Sequence, residues 1–225
     1  MKLKKHAKGI MDVDGWLNEC PPKKGEKQWV SGRSAMELAK YITKNLPCVP
    51  SEIEDALKPI VSVNSQFEWD AEHVTALPGR GEGRNHDAIL YNEDILVTIE
   101  AKADETLGNL VGEEIQKASV NKLYRISELL RHIFKADFKK YGDLRYQLIT
   151  AAVGTALEAK NRGLDTAVML VIVFRTDGKV DEEKLARNHD DIKNFLIAVN
   201  AHEENGFAVI PNNMDVKLYF KEIII

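Results

Sequence analysis

Apolar residues recur along the chain at two different periods, and the clearest set predicts a β-hairpin. Residues 87–91 and 95–102 are apolar and rich in β-branched side chains, and a polar cluster at residues 92–94 separates them. Short polar clusters between two such runs are typical of hairpin turns. A turn centred on this cluster fixes the register of the two strands, which places Asp87 directly opposite Glu100.

The predicted hairpin gathers charge at one end of one face. Asp87 and Glu100 lie opposite each other there, and like charges about 4.5–5.5 Å apart at Cβ destabilise a sheet unless something compensates them. A divalent cation would compensate them. Lys102 follows Glu100 by two residues, and because side chains on a strand alternate with period two, it emerges on the same face. The opposite face is apolar throughout and consists of Ala88, Leu90, Ile95, Val97, Ile99 and Ala101.

Other apolar residues fall at steps of three and four, which predicts helices. One helix begins at Ser34, which forms a capping box with Glu37, and ends near Pro47. A longer helix, from Glu113 onward, turns a stripe of apolar residues toward the core: Val120, Leu123, Ile126, Leu130 and Ile133. Further helices are predicted over residues 51–57, 144–161 and 181–201, and strands over residues 72–77, 166–174, 207–210 and 216–225, with a turn at Thr176, Asp177 and Gly178.

These elements predict an α/β fold in which helices sandwich a mixed β-sheet. The 225 residues suit a single domain, with residues 1–33 as an irregular arm and residues 175–225 as a C-terminal extension. Apolar runs all stay below the roughly 18 residues that a membrane-spanning helix needs. The basic N-terminus lacks the apolar stretch of a secretory signal, so we expect a cytoplasmic protein without membrane contact.

The distribution of charge is uneven. The net charge of −4 argues against broad, nonspecific adhesion to nucleic acid. However, residues 1–33 contain eight Lys or Arg against four acidic residues, and residues 117–145 contain eight against three. Such local excesses either form patches that face phosphate groups or simply face water. The two cysteines, Cys20 and Cys48, have no spacing that indicates a disulfide framework or a zinc site.

The charged end of the hairpin carries a motif. Asp87 followed by the EAK triplet at residues 100–102 resembles the signature of the PD-(D/E)XK nuclease superfamily, whose core is a helix, three strands, a helix and a further strand. The resemblance covers about residues 34–174 and implies a restriction-endonuclease-like core. The stretches GRSAMELA and RYQLITAAVGTALEA suggest an uncharacterised bacterial branch. The chain departs from the family pattern before Asp87, where His86 stands in place of a proline.

The resemblance implies a Mg²⁺-dependent phosphodiesterase that acts on nucleic acid, with DNA favoured over RNA. Asp87 and Glu100 would hold the metal ion, Mg²⁺ or else Mn²⁺, since Mg²⁺ takes one or two carboxylates and completes its shell with water and phosphate. Lys102 would position the attacking water or stabilise the charge that develops on the phosphate. The oligomeric state stays open, a homodimer included.

Four further residues are candidates for the same site. Gln147, in the first turn of the helix predicted over residues 144–161, resembles the polar residue that the family carries on the helix after the ExK strand, and Gln116 competes for that role. Glu37 resembles the helix acid of some members, although its capping-box position gives it a full structural reason. Asp104 adds a carboxylate or simply opens the loop after the strand.

Structural interpretations compete with the catalytic one. Glu100 and Lys102 could form a same-face ion pair on a solvent-facing strand, and Asp87 could cap a turn. The protein would then be a noncatalytic binding or scaffold protein that keeps the fold. Hydrolysis of a small phosphate ester is a third alternative. Fold alone does not decide among these functions.

Overall fold

One mixed sheet of eight strands runs through the described part of the molecule. The structure, a computed structural model, describes residues 1–4, 9–22, 29–103, 105–134, 141–175 and 181–225. The strands are β1 (Lys2–Leu3), β2 (Gln66–Thr75), β3 (Arg84–Tyr91), β4 (Leu96–Lys102), β5 (Thr166–Val173), β6 (His202–Glu204), β7 (Phe207–Ile210) and β8 (Lys217–Ile224). Their spatial order is β1-β2-β3-β4-β5-β8-β7-β6. Strands β2, β3 and β4 pair antiparallel, whereas β4, β5 and β8 pair parallel.

Helices cover both faces of this sheet. They are α1 (Val13–Glu19), α2 (Ser34–Asn45), α3 (Ser51–Leu57), α4 (Val111–Gln116), α5 (Val120–Ile133), α6 (Tyr146–Asn161) and α7 (Glu182–Ala198). Helices α1, α2 and α3 pack their apolar residues on one face, and α5, α6 and α7 pack theirs on the other. Strands β4 and β5 are buried along their whole length or nearly so, as expected for strands covered on both sides. The α/β fold with a mixed sheet is therefore confirmed.

The predicted hairpin forms in the predicted register. Ala88 pairs with Ile99 and Ile89 pairs with Thr98 across β3 and β4. The Asn92 side chain closes the turn, because its Oδ1 accepts hydrogen bonds from the backbone N–H groups of Asp94 and Ile95 at 2.9 and 3.0 Å. The face of Ala88, Leu90, Ile95, Val97, Ile99 and Ala101 belongs to the apolar core with α1, α2 and α3.

The predicted capping box of α2 is wrong. Arg33, not Ser34, is the N-cap residue, and it makes no side-chain capping bond. Glu37 instead accepts a hydrogen bond from the Gly32 N–H at 2.8 Å, before the helix begins. The Ser34 hydroxyl is turned away from the helix and donates to the carboxylate of Glu105. The loop before α2 thus donates to Glu37, in place of the expected capping box between Ser34 and Glu37.

The long helix predicted from Glu113 onward is two helices. Helix α4 ends at Gln116, and α5 begins at Val120 with Ser119 as its N-cap. Ile126, Leu130 and Ile133 are buried as predicted, but Val120 is 83 % exposed and Leu123 is exposed too. The first turns of α5 border surface grooves, so only its later turns reach the core.

Several boundaries differ from the sequence prediction. Strand β2 is longer than the strand predicted over residues 72–77, since it begins at Gln66. Strand β1 and helix α1 lie within residues 1–33, where an irregular arm was expected, and Trp16 of α1 is buried against Trp69. The turn predicted at 176–178 lies outside the described residues.

Candidate functional site

Glu100 lies at the centre of a charged cluster on the α6 face of the sheet. It is only 5 % exposed, although strand β4 carries it next to the sheet end. Its Oε1 accepts a hydrogen bond from Lys102 Nζ at 2.7 Å and another from Gln147 Nε2, and its Oε2 accepts one from Arg84 Nη2. Both carboxylate oxygens are therefore bound by donors of the chain itself.

Lys102 is buried rather than solvent-facing. The ion pair with Glu100 is present, as one alternative predicted. However, the exposed fraction of Lys102 is 5 %, so the pair is buried and does not lie on a solvent-facing strand. Burial lowers the pKa of the Lys102 ammonium, and the nearby carboxylates of Asp87 and Glu105 oppose that shift. A lowered pKa makes the buried ammonium a stronger acid than an ordinary exposed lysine.

Asp87 lies where β3 and β4 separate. Their pairing ends at Ala88 and Ile99, one step before the expected pair of Asp87 with Glu100. Asp87 Oδ2 accepts a hydrogen bond from the backbone N–H of Ala101 at 2.7 Å, so its side chain replaces the next rung of the ladder. Its Oδ1 has no hydrogen-bond partner in the described ranges. Asp87 is half-buried and keeps one oxygen available.

Arg84 completes the cluster, and the sequence prediction missed it. Counting by two from Ile89 assigns Arg84 to the opposite face of β3. In the structure, the alternation of side chains between the two faces of the sheet inverts between the pairs Ala71–Ala88 and His73–His86. Glu72, which lies at this step, has a φ of 52°.

The inversion brings the beginning of β3 against helix α6. A Cβ atom on Gly154 would lie 3.0 Å from Arg84 Cγ and 3.2 Å from His86 Nε2. A side chain at this position would require Arg84 or His86 to move by a few tenths of an ångström, so glycine favours the close approach. Burial lowers the pKa of Arg84, and burial together with the charge of Arg84 lowers the pKa of His86 well below its ordinary value, so His86 is neutral at pH 7.

A polar groove of about 510 Å³ lies in front of this cluster. Arg84 and Gln147, which both bind Glu100, form part of its wall. Two cations of α5, Lys122 and Arg125, and the acidic Glu114 also line the groove. The remaining lining residues are Leu77, Gly83, Asn85, Gly108, Asn109, Tyr146 and Thr150. Of the predicted basic residues 117–145, Lys122 and Arg125 thus face the groove.

Arg125 shapes the rim of the polar groove. It is buried, and its guanidinium donates hydrogen bonds to the backbone carbonyls of Pro78, Gly79 and Glu82. These three contacts hold the glycine-rich loop between β2 and β3, in which Gly79 and Gly81 have positive φ angles of 82° and 120°. The loop leads directly into Arg84.

The other candidate residues lie apart from the cluster. Gln116 is exposed at the end of α4, whereas Gln147 reaches Glu100. Glu37 binds Gly32, Ser31 and Lys40 beside its own helix, which gives it a structural role. Asp104 lies outside the described residues.

Asp87 and Glu100 offer the oxygen ligands that a hard divalent cation prefers, but they fill only part of its coordination shell. Two carboxylates from neighbouring strands, one with a free oxygen, match the one or two that Mg²⁺ takes beside water and phosphate. In the ranges that the structure describes, no three His, Cys, Asp or Glu side chains are grouped to hold a metal ion. Arg84 and Lys102 neutralise Glu100 instead. The residues therefore fit a Mg²⁺ ion that shares its shell with a substrate.

Comparison with known proteins identifies a family but no activity. A family described as a domain of unknown function, DUF6946, matches residues 10–224. No curated protein and no solved structure matches the chain. Among the helices of the described residues, none combines the length and apolar character needed to cross a bilayer.

Proposed function

The chain belongs to the DUF6946 family, and we propose that it is a Mg²⁺-dependent phosphodiesterase acting on nucleic acid, with DNA favoured over RNA. The observation that carries the proposal is the convergence of Asp87, Glu100, Lys102 and Gln147 beside the polar groove. Active sites concentrate charged groups with shifted pKa values in clefts, as found here for Lys102.

The order of elements supports a restriction-endonuclease-like core. Helices α2 and α3 precede the antiparallel strands β2, β3 and β4, and helices precede β5, which pairs parallel with β4. The proposed site lies where the pairing of β3 with β4 ends, and this position supports the motif resemblance. Mn²⁺ would bind the same oxygen ligands.

Each residue has a distinct proposed role. Asp87 Oδ1 and Glu100 would hold the metal ion, which when bound supplies a Lewis acid for the phosphate and lowers the pKa of the attacking water. Lys102 orients Glu100 and, with its lowered pKa, positions that water or neutralises charge on the phosphate. Gln147 donates the second hydrogen bond to Glu100 Oε1 and so helps to hold the carboxylate in place. Lys122, on the wall of the polar groove, would contact a flanking phosphate.

One observation favours a second candidate function. Arg84 and Lys102 neutralise Glu100 without any metal ion, as in a stable structural cluster. A noncatalytic nucleic-acid or protein binding module would keep the polar groove and need no cleavage chemistry.

The test measures cleavage of single- and double-stranded DNA and RNA with Mg²⁺, with Mn²⁺ and with a chelator. Asp87→Asn is the sharpest variant, because an asparagine Oδ1 still accepts the Ala101 N–H while the negative charge is lost. Lys102→Met keeps the length and burial of the side chain without its charge. We expect both variants to lose about 10²-fold or more of the wild-type rate.

Glu93→Ala is the matched control, since Glu93 is exposed in the turn of the same hairpin. It should cleave like the wild type. Circular dichroism and thermal melting establish that each variant is folded. A wild-type protein that cleaves none of the four substrates would support the binding module, and undiminished cleavage by both site variants would assign the activity to another site or a contaminant.

A further inference from the structure

Arg84 is buried yet incompletely hydrogen-bonded. Its side chain is 11 % exposed, and its Nη2 donates to Glu100 Oε2. Its Nε is buried without a hydrogen-bond partner in the part of the chain that the structure describes. Buried donors are nearly always paired, so an unpaired one indicates a missing acceptor.

The surroundings of Arg84 limit where its guanidinium can go. Helix α6 stops it on one side at Gly154, and the Glu100 carboxylate holds it on a second. The open side is the polar groove, which Arg84 lines together with Gln147 and Thr150. An acceptor for Nε would therefore arrive from that groove.

Charge balance links this acceptor to a metal ion. Three carboxylates, Asp87, Glu100 and Glu105, lie around two cations, Arg84 and Lys102, so the formal charge of the cluster is −1. A divalent cation would add two positive charges in a site where Arg84 already occupies one oxygen of Glu100. A phosphate group would offset that excess, and a guanidinium presents parallel donors that match two phosphate oxygens.

We propose that Arg84 is an exchangeable counter-cation, which leaves Glu100 when Mg²⁺ binds and transfers Nε and Nη2 to the phosphate of the substrate. This inference rests on the proposed function and deepens it. Metal and phosphate then bind cooperatively, because the phosphate removes the cation that competes with the metal for Glu100. Arg84 acts both as a competitor of the metal in the free protein and as a substrate contact in the complex.

The test measures Mg²⁺ binding by isothermal titration calorimetry, with and without a ten-nucleotide DNA strand that carries non-hydrolysable linkages. We expect weak Mg²⁺ binding by the wild type, tightened about 10-fold or more by the strand. Arg84→Met removes the competitor, so it should bind Mg²⁺ about 10-fold more tightly without DNA and show little further gain with it. Its cleavage rate should nevertheless fall.

Two variants separate charge from geometry and from stability. Arg84→Lys keeps a competing cation but loses the planar fork, so it should retain weak Mg²⁺ binding and lose most of the coupling to DNA. Arg162→Met is the matched control, because Arg162 pairs with Glu158 at the other end of α6. It should change thermal stability without changing Mg²⁺ affinity.

The outcomes are distinct. If the wild type binds Mg²⁺ and Arg84→Met binds it with the same affinity and the same response to DNA, the exchange is overturned while the proposed function stands. If neither protein binds Mg²⁺ with or without the strand, the proposed function and the exchange both fall. If Asp87→Asn binds Mg²⁺ as tightly as the wild type, the metal lies elsewhere and Arg84 has no part in it.

Discussion

The two ends of helix α6 each hold a buried glutamate network, and the two networks differ in how completely they are satisfied. At the C-terminal end, Glu158 Oε1 accepts hydrogen bonds from His73 Nε2 at 2.9 Å and Arg162 Nε at 2.7 Å, and its Oε2 accepts one from Thr75 at 3.0 Å. At the N-terminal end, Gln147 reaches Glu100, whose partner Arg84 has an unpaired Nε.

This difference separates a structural network from one prepared for a ligand. The Glu158 network joins β2 to α6, and among the described residues none of its buried side-chain nitrogen or oxygen atoms lacks a partner, as in networks that stabilise a unique packing. The Glu100 network borders the polar groove and leaves both a donor and a carboxylate oxygen of Asp87 without partners among the described residues. Incomplete satisfaction next to a groove indicates where a substrate would complete the bonding.

The largest expected effect compares the two glutamates. Glu100→Ala leaves Arg84 and Lys102 as two buried cations, and removing one partner of a buried ion pair costs about 3–5 kcal/mol of unfolding free energy. Glu158→Ala should cost about 1–3 kcal/mol, because His73 and Arg162 are 20 % and 24 % exposed. Urea unfolding at pH 7 measures both, with Glu93→Ala as the exposed control. A larger loss for Glu158→Ala would reverse the comparison.

A smaller effect is the pH dependence of the Glu158 network. The carboxylates of Asp70 and Glu158 raise the pKa of His73 from 6.5 to about 9, so the folded state binds the His73 proton more tightly than the unfolded state. That stabilisation is fully present below pH 6.5 and is lost as the pH rises through 9. At 1.36 kcal/mol per pKa unit it is at most about 3 kcal/mol.

The acid side of the same network has the opposite sign. Burial alone would raise the pKa of Glu158, but hydrogen bonds from His73 and Arg162 lower it to about 2 from 4.5. Its contribution is present above pH 4.5 and is lost as the pH falls through 2.

Denaturant unfolding between pH 6 and pH 10 should show a decline in the wild type that His73→Gln flattens. Identical slopes in the two proteins would remove His73 from the explanation.

The smallest expected effect concerns an uncharged hydrogen bond between β4 and α6. Thr98 and Thr155 lie 2.6 Å apart through their hydroxyls, and the Thr155 hydroxyl also donates to the Ala151 carbonyl at 2.8 Å. Thr98→Val removes one hydrogen bond and should cost about 1 kcal/mol. Thr155→Val leaves the buried Thr98 hydroxyl without a partner among the described residues and should cost more. Thermal unfolding checks the order, and a greater cost for Thr98→Val contradicts it.

The hairpin was predictable because its signals are local. Period-two alternation and a polar turn fix the pairing of Ile89 with Thr98 without reference to any other element. The same counting fails three residues earlier in β3, at His86. The positive φ of Glu72 on the neighbouring strand accompanies the inversion that brings Arg84 to the α6 face. No pattern within β3 contains that information.

The burial of individual side chains was less predictable than the face of the strand or helix on which they lie. Lys102 lies on the predicted face, but its burial depends on α6, which is distant in sequence, and on the path of the loop that carries Glu105. Val120 fits the helical stripe of α5 and is nevertheless exposed, because the stripe extends beyond the core that it serves. The nucleic-acid substrate and the metal ion stay predictions, which the cleavage and titration experiments address.

The hydrogen bond from the Ala101 N–H to the Asp87 carboxylate makes one amide proton of the sheet a reporter of the site. Ala101 N–H is bonded to a carboxylate instead of to the backbone of β3, so its hydrogen bond breaks when Asp87 rotates away and does not require the two strands to separate. Its protection factor therefore tracks the position of a proposed metal ligand, whereas the protection of its neighbours on β4 tracks the stability of the sheet. A single resonance can follow events at the centre of the site without any label placed there.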